Sequence, residues 1–174
     1  MEIEEKKFAG FWIRVGATFI DLLALIILIG LNMLNLYLWK NLASMLILNI
    51  AVIAYKPFME FKYGATFGKM ALKIKVLTIE NQLMTIQQSL TRSIPWLISG
   101  AVTIYTATAL MTHPLYLETE GYIQITQIQQ EVTPMTIQTL STLFFMVSVI
   151  VVAFDKQKRG IHDMLAKTYC LKND

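Results

Sequence analysis

The residues with chemical potential in this sequence are a few charged side chains set in or beside long apolar stretches. Arg14 and Asp21 lie seven positions apart, so in a helix they share one face, about 10 Å apart along the axis. A carboxylate near the middle of a membrane span costs roughly 2.5–3.5 kcal/mol and needs a partner or a wet cavity. Two roles are open for Asp21: a polar clamp that fixes helix packing, and a carboxylate that binds an ion or a proton.

The partner of Asp21 is expected to be Arg14 or a group in the closing part of the chain. That part contains Asp155, His162 and Asp163, which complete the predicted polar cluster. We expect the Asp21 carboxylate to face the bundle interior and to be neutralised by Arg14 or by a group near His162–Asp163. Because His162 and Asp163 are adjacent, they point about 100° apart in a helix and cannot easily face one small ligand.

The other reactive side chains do not indicate an enzyme or a metal site. Cys170 is the only cysteine, so neither an intramolecular disulfide nor a zinc site built on cysteines is possible. His113, the other histidine, is predicted on the opposite side of the membrane from His162. A Ser-His-Asp arrangement lacks a nucleophile motif here. We therefore predict no catalytic residue, no metal and no cofactor.

The composition places these residues in a membrane protein. Of 174 residues, 55% are hydrophobic and 16% charged, against about 45–50% and 25% in soluble domains. The net charge of +3 is too small to indicate a nucleic-acid partner. We predict an all-α membrane protein in which residues 1–174 form a single domain, a four-transmembrane-helix bundle. Its predicted spans are residues 11–37, 41–58, 93–111 and 135–154.

The positions of the basic residues predict which side each connection faces. With four spans, 14 of the 15 Lys and Arg residues fall on one side, in the amino-terminal flank, the segment 56–92 and the tail 155–174. The other side receives residues 112–134, which contain glutamates but no Lys or Arg. By the positive-inside rule, both termini are therefore cytoplasmic, and residues 112–134 form an outer segment.

The cytoplasmic segments are predicted to carry a small strand and interfacial-helix element. Apolar residues and lysines alternate over residues 72–76, which favours a half-buried strand. Thr85 and Gln88 have the spacing of a capping box that opens a helix. The tail is predicted to form an interfacial helix and an extended segment that pairs with the strand. In the outer segment, the alternation over residues 122–128 indicates a strand or a surface cover.

Three blocks, in order along the chain, resemble the RDD family of small membrane proteins, which is named for one arginine and two aspartates. Residues 11–21, with Arg14 and Asp21, resemble the opening helix of the family, and residues 155–168 resemble its closing block. The middle block resembles the family segment Gly-x-Thr-x-Gly-Lys and supplies the predicted loop motif, which comprises Gly64, Thr66, Gly68 and Lys69. Asn81-Gln82 replaces an expected Asp-Gly turn, and Lys167 stands where glycine is usual.

The resemblance implies a transport function, and for some members of the family an exchange of cations for protons. An intramembrane carboxylate suits that chemistry. The alternative is a non-transporting accessory or organising subunit of another membrane complex. Four short helices enclose little volume, so a transporter is expected to need two or more copies. The expected partners are the lipid bilayer and either a homo-oligomer or another membrane protein, without nucleic acid. The expected location is a bacterial plasma (inner) membrane.

Overall fold

The computed structural model describes residues 7–172, and this part of the chain is mostly helical. In chain order its elements are α1 (Phe11–Ala24), α2 (Ile26–Leu34), a π-helical segment (Asn35–Trp39), α3 (Leu42–Tyr63), α4 (Phe67–Ala71), β1 (Ile74–Thr78), α5 (Ile86–Arg92), α6 (Ile94–Met111), α7 (Tyr122–Val132), α8 (Met135–Phe154), α9 (Ile161–Leu165) and β2 (Thr168–Lys172).

Three of the described helices, α3, α6 and α8, are long and apolar enough to cross a membrane. The bent pair made by α1 and residues Ile26–Trp39 becomes a fourth span if it is counted as one. The first predicted span is therefore interrupted, with its break at Leu25. The described chain is that of a helical membrane protein with three or four candidate spans.

The second span extends past its predicted end at residue 58. Lys56 and Lys62 indicated an exit from the membrane, yet α3 continues through Pro57 to Tyr63. Within this extension Glu60 is fully buried and is neutralised by two basic side chains. Charge alone therefore did not predict where the helix ends.

The two strands form a small antiparallel sheet. In its register, Ile74 lies opposite Lys172 and Thr78 opposite Thr168, which confirms the predicted pairing of the tail with the strand. The strand begins two residues later than predicted, because the chain leaving α4 passes through Lys73 with a φ of +55°. The capping box that opens α5 is confirmed: the Thr85 hydroxyl accepts from the Gln88 N–H, and the Gln88 side chain accepts from the Thr85 N–H.

Residues 112–134 contain a helix, so the strand is wrong, and of the two predicted alternatives the surface cover stays open. Ile125 and Ile128 are the buried residues of α7, and their spacing of three is that of one helix face. They belong to an apolar cluster that also contains Leu110 and the fully buried Tyr116. The alternating sequence is equally compatible with a strand, and packing of this face stabilises the helix instead.

Contacts divide the chain into two compact units. Within the described residues, unit 1 comprises 7–24, 55–94 and 146–172, and its apolar cluster includes Ala17, Val76 and Cys170. Unit 2 comprises 25–54 and 95–145, and its cluster includes Met45, Leu110 and Tyr116. Both α3 and α8 supply residues to each unit, and the single domain of the sequence analysis stays a prediction.

Candidate functional site

Asp21 is held by neutral hydrogen-bond donors. Its carboxylate accepts from the Tyr55 hydroxyl at 2.7 Å, the Thr66 hydroxyl at 2.6 Å and the backbone N–H of Gly68 at 2.7 Å. The Tyr55 hydroxyl oxygen in turn accepts from the backbone N–H of Phe67 at 3.0 Å. These four bonds, which define the Asp21 site, join α1 to α3 and to the start of α4.

The loop motif builds one side of this site. Thr66 is the N-cap of α4, and from this position its hydroxyl and the backbone N–H of Gly68 both donate to the Asp21 carboxylate. Gly68 is needed for close approach, because a Cβ there would lie 1.8 Å from the carbonyl oxygen of Ala17. Gly64 takes a φ of +70°, a left-handed conformation that favours glycine. Thr66 and Gly68 thus bind Asp21 directly, whereas Gly64 shapes the turn before them and Lys69 pairs with Glu60.

The prediction that Arg14 or the closing block neutralises Asp21 is wrong. The Arg14 guanidinium donates instead to the carbonyl oxygens of Ala9 and Lys158 and to the Asp163 carboxylate at 2.5 Å. Sharing a helix face does not bring the two side chains together, because they are separated by two helical turns and each meets a different element.

The charged residues form a second cluster, the ion-pair network. Glu60 accepts from Arg92 Nε at 2.7 Å and from the Lys69 ammonium. Arg92 also donates to Asp163, so a single guanidinium bridges two buried carboxylates. Asp163 is further bound by Arg14 and by the backbone N–H of Gly160 at 3.0 Å. The network comprises Arg14, Glu60, Lys69, Arg92 and Asp163.

Two members of this network, Glu60 and Arg92, were not predicted as site residues. Arg92 was counted only as one of the basic residues of segment 56–92. One signal was available for Glu60, which is the only acidic residue between Asp21 and Glu80 in a stretch rich in lysine. Nothing in the local sequence marks Arg92, since its two partners lie 32 and 71 positions away.

The network holds its charges firmly. Burial acts to raise the pKa of Asp163, but Arg92 and Arg14 outweigh it and keep that pKa well below its usual range. Burial acts to lower the pKa of Arg92, and the carboxylates of Asp163 and Glu60 raise it well above its usual value instead. Both groups therefore stay ionised across the physiological pH range.

His162 connects this network to α8. Its Nδ1 lies 2.7 Å from the Ser148 hydroxyl, and its Nε2 lies 3.3 Å from Asp163. The chain therefore does align a serine, a histidine and an aspartate, contrary to the sequence analysis. Ser148 is only 1% exposed, so the aligned hydroxyl is buried. Burial lowers the pKa of His162 to about 3, which keeps the imidazole neutral.

Asp155 belongs to neither cluster. Its carboxylate accepts from the backbone N–H groups of Gln157 and Arg159, and from Arg159 Nε at 3.2 Å, in the turn that follows α8. The bond from the Arg159 side chain lowers the pKa of Asp155. In the part of the chain that the structure describes, no group of three or more His, Cys, Asp or Glu side chains could hold a metal ion.

The geometry thus separates two kinds of carboxylate. Asp163 and Glu60 are paired with arginine and lysine, whereas the hydrogen bonds of Asp21 come from hydroxyl groups and one amide.

A family profile described as the RDD family matches residues 8–167, nearly the whole chain, and confirms the resemblance drawn from the three blocks. No curated protein and no solved structure matches the chain.

Proposed function

The chain belongs to the RDD family, and we propose that it is a membrane protein that exchanges a monovalent cation for a proton at Asp21. The observation that carries the proposal is the set of partners of Asp21. Among the described residues, its hydrogen bonds come from Tyr55, Thr66 and Gly68, none of which carries a positive charge. The charge of this carboxylate is therefore available to a mobile ion.

The Asp21 site also offers suitable ligand atoms. The two carboxylate oxygens and the hydroxyl oxygens of Tyr55 and Thr66 are hard donors, the type that small alkali cations prefer. A proton and a monovalent cation carry equal charge, so either one neutralises the carboxylate. By contrast, loading Glu60 or Asp163 requires breaking an ion pair with arginine, which is strongly unfavourable when the pair is buried.

A second function, an organising subunit without transport, is favoured by a different observation. Gly68 packs so closely on Ala17 that α1 and α4 are fixed to each other by the backbone as well as by the carboxylate. A clamp of that kind needs the shape and the hydrogen bonds of Asp21 but not its charge. The two functions therefore differ in what they require of a single side chain.

Ion flux in proteoliposomes made from the purified full chain tests the proposal. A pH gradient monitored with a pH-sensitive dye should collapse when Na⁺, K⁺ or Li⁺ is added outside. Asp21→Asn keeps the shape and the acceptor oxygen but removes the titratable charge, so flux should fall to background while thermal unfolding stays close to that of the wild type. Asp155→Asn, which removes a carboxylate from a turn, is the matched control and should retain flux.

Two results would overturn the exchange proposal. One is the absence of flux with all three cations in the wild-type protein, and the other is full flux in Asp21→Asn. Either result, combined with a folded Asp21→Asn protein, would favour the organising role. Copurification of a different membrane protein would support it further.

The orientation is part of the proposal. We place both termini on the cytoplasmic side of a bacterial plasma membrane, because the basic residues concentrate in the flanks and in residues 56–92. Membrane-impermeant thiol labelling from outside should reach a cysteine introduced at Gln124 and miss one at Lys73. We also propose that two or more copies surround the transport pathway, which cross-linking in the membrane would detect.

A further inference from the structure

A groove of about 680 Å³ lies in unit 1, beside the beginning of α1. Residues 8–13 form one wall, and Ala153, Lys158 and Lys172 complete the lining. The wall is rich in aromatic side chains, and the rings of Phe11 and Trp12 meet edge to face with centroids 5.1 Å apart. The groove is thus largely apolar, and two lysines are among its lining residues.

The ends of two helices indicate where this groove sits in a membrane. Trp12 is the second residue of α1 and is 80% exposed, and Phe154 is the last residue of α8 and is 83% exposed. Exposed aromatic side chains at the ends of spans mark the boundary between hydrocarbon and head groups. Because Trp12 and Ala153 both line the groove, it opens at that boundary.

The backbones of the two lysines are held by the fold, and the Lys158 ammonium donates to the carbonyl oxygen of Ala153 at 3.4 Å. The carbonyl oxygen of Lys158 accepts from Arg14, and its backbone takes a φ of +53°. Lys172 is paired with Ile74 in the sheet, and its backbone N–H donates to the carbonyl oxygen of Lys7 at 2.8 Å. No carboxylate is among the described residues that line the groove.

We propose that this groove binds an anionic phospholipid of the surrounding membrane. Its apolar wall matches the upper part of an acyl chain, and its two ammonium groups match a head group with net negative charge. Basic groups near a membrane surface attract anionic lipid, and a zwitterionic head group lacks that charge complementarity. The site is separate from Asp21 and does not depend on transport.

Fluorescence of Trp12 reports on the groove directly. In a Trp39→Phe/Trp96→Phe background, Trp12 is the remaining tryptophan, and a brominated lipid beside it quenches its emission. The full chain is reconstituted in phosphatidylcholine vesicles that contain brominated phosphatidylglycerol or, for comparison, the same mole fraction of brominated phosphatidylcholine. We expect the brominated anionic lipid to associate about 30-fold more strongly, because each of the two basic groups contributes about 1 kcal/mol near the surface.

Charge-matched variants assign that preference to the groove. Lys158→Gln/Lys172→Gln should abolish it, whereas Lys73→Gln/Lys75→Gln, which removes two exposed lysines elsewhere in unit 1, should retain it. Lys158→Arg/Lys172→Arg keeps both positive charges and should also retain the preference for the anionic lipid. That result would show that the groove tolerates substitution at these two positions. Equal quenching by the two lipids, survival of the preference in the first variant, or its loss in the Lys73/Lys75 control would each overturn the proposal.

Discussion

The two units differ in whether they bury charged side chains, although unit 1 also buries neutral ones such as Thr66 and Ser89. Within the described residues, all four buried charged side chains belong to unit 1, namely Glu60, Lys69, Arg92 and Asp163. The buried polar side chains of unit 2 are neutral and comprise Asn35, Asn49, Thr106 and Thr133. They pair with one another or with other neutral groups, as in the bond of 3.1 Å between the hydroxyls of Thr133 and Thr106.

This difference shows how each unit satisfies polar atoms away from water. A buried ion requires an opposite charge and further hydrogen bonds. Removing one member of such a pair leaves the other as an unpaired buried charge, which carries a large desolvation penalty. A neutral amide or hydroxyl requires only a donor or an acceptor, which neighbouring helices supply readily in a membrane. Replacing a buried charged side chain of unit 1 should therefore be much more damaging than replacing a buried neutral side chain of unit 2.

The largest effect is expected from Asp163→Asn. Asparagine does not neutralise Arg14 and Arg92, so the free energy of unfolding should fall by about 3–5 kcal/mol. Denaturant unfolding in detergent micelles measures the change. Asp155→Asn serves as the control, because its carboxylate lies in a partly exposed turn, and it should remain close to the wild type. Equal losses in the two variants would contradict the special cost of the network.

A backbone contact in unit 1 should give the next largest effect. In Gly68→Ala the new Cβ meets the Ala17 carbonyl oxygen, so α1 and α4 must separate, and we expect a loss of about 3 kcal/mol in unfolding free energy. Gly30→Ala in unit 2 is the matched control. Its Cβ meets nothing within 4 Å, and alanine should stabilise the helix by about 0.5–1 kcal/mol. The prediction fails if the two alanines change stability in the same direction.

His162 should make the stability of the protein depend on pH. Burial lowers its pKa to about 3 in the folded protein, whereas an unfolded histidine titrates near 6.5. Between these values only the unfolded chain binds the proton, so stability falls as the pH falls, by about 2 kcal/mol from pH 7 to pH 5. His162→Gln should remove this component of the unfolding free energy measured against pH. His113→Gln is the histidine control. If the unfolding free energy has the same pH dependence in His162→Gln as in His113→Gln, the assignment to His162 is wrong.

The smallest effect is expected in unit 2. Asn49 donates to the side-chain oxygen of Asn32 at 3.1 Å, a neutral bond between two helices. Bonds of this kind contribute about 0.6 kcal/mol on average in membrane proteins, so Asn49→Ala should lower the unfolding free energy by about that amount. The same unfolding measurement checks it. A loss as large as that of Asp163→Asn would remove the contrast between the units.

Several elements could be predicted because their causes are local. The capping box of α5 depends on Thr85 and Gln88, three positions apart, and both of its bonds form. The strand at β1 follows from the alternation of apolar and lysine residues, and its shift of two positions reflects a local turn at Lys73. Helix α8 occupies residues 135–154, an apolar stretch without any charge. Hydropathy and periodicity over a few turns determine such elements.

The partners of the charged residues could not be predicted in the same way. Asp21 was correctly identified as a residue that needs partners, because its cost in a span follows from its type and position. Its actual donors lie 34, 45 and 47 positions away, and the Arg92–Asp163 pair spans 71. Such pairs depend on which elements pack together, a property that no local pattern contains.

The sequence by itself therefore determined the membrane-protein class, the family, the apolar helices and the need to neutralise Asp21. The tertiary structure decided that Arg14 binds Asp163 instead of Asp21, that Glu60 and Arg92 join the network, and that residues 122–132 form a helix. The physical reason is range. Hydropathy, capping and periodicity act between near neighbours, whereas the pairing of buried charges is set by contacts between elements distant in the chain.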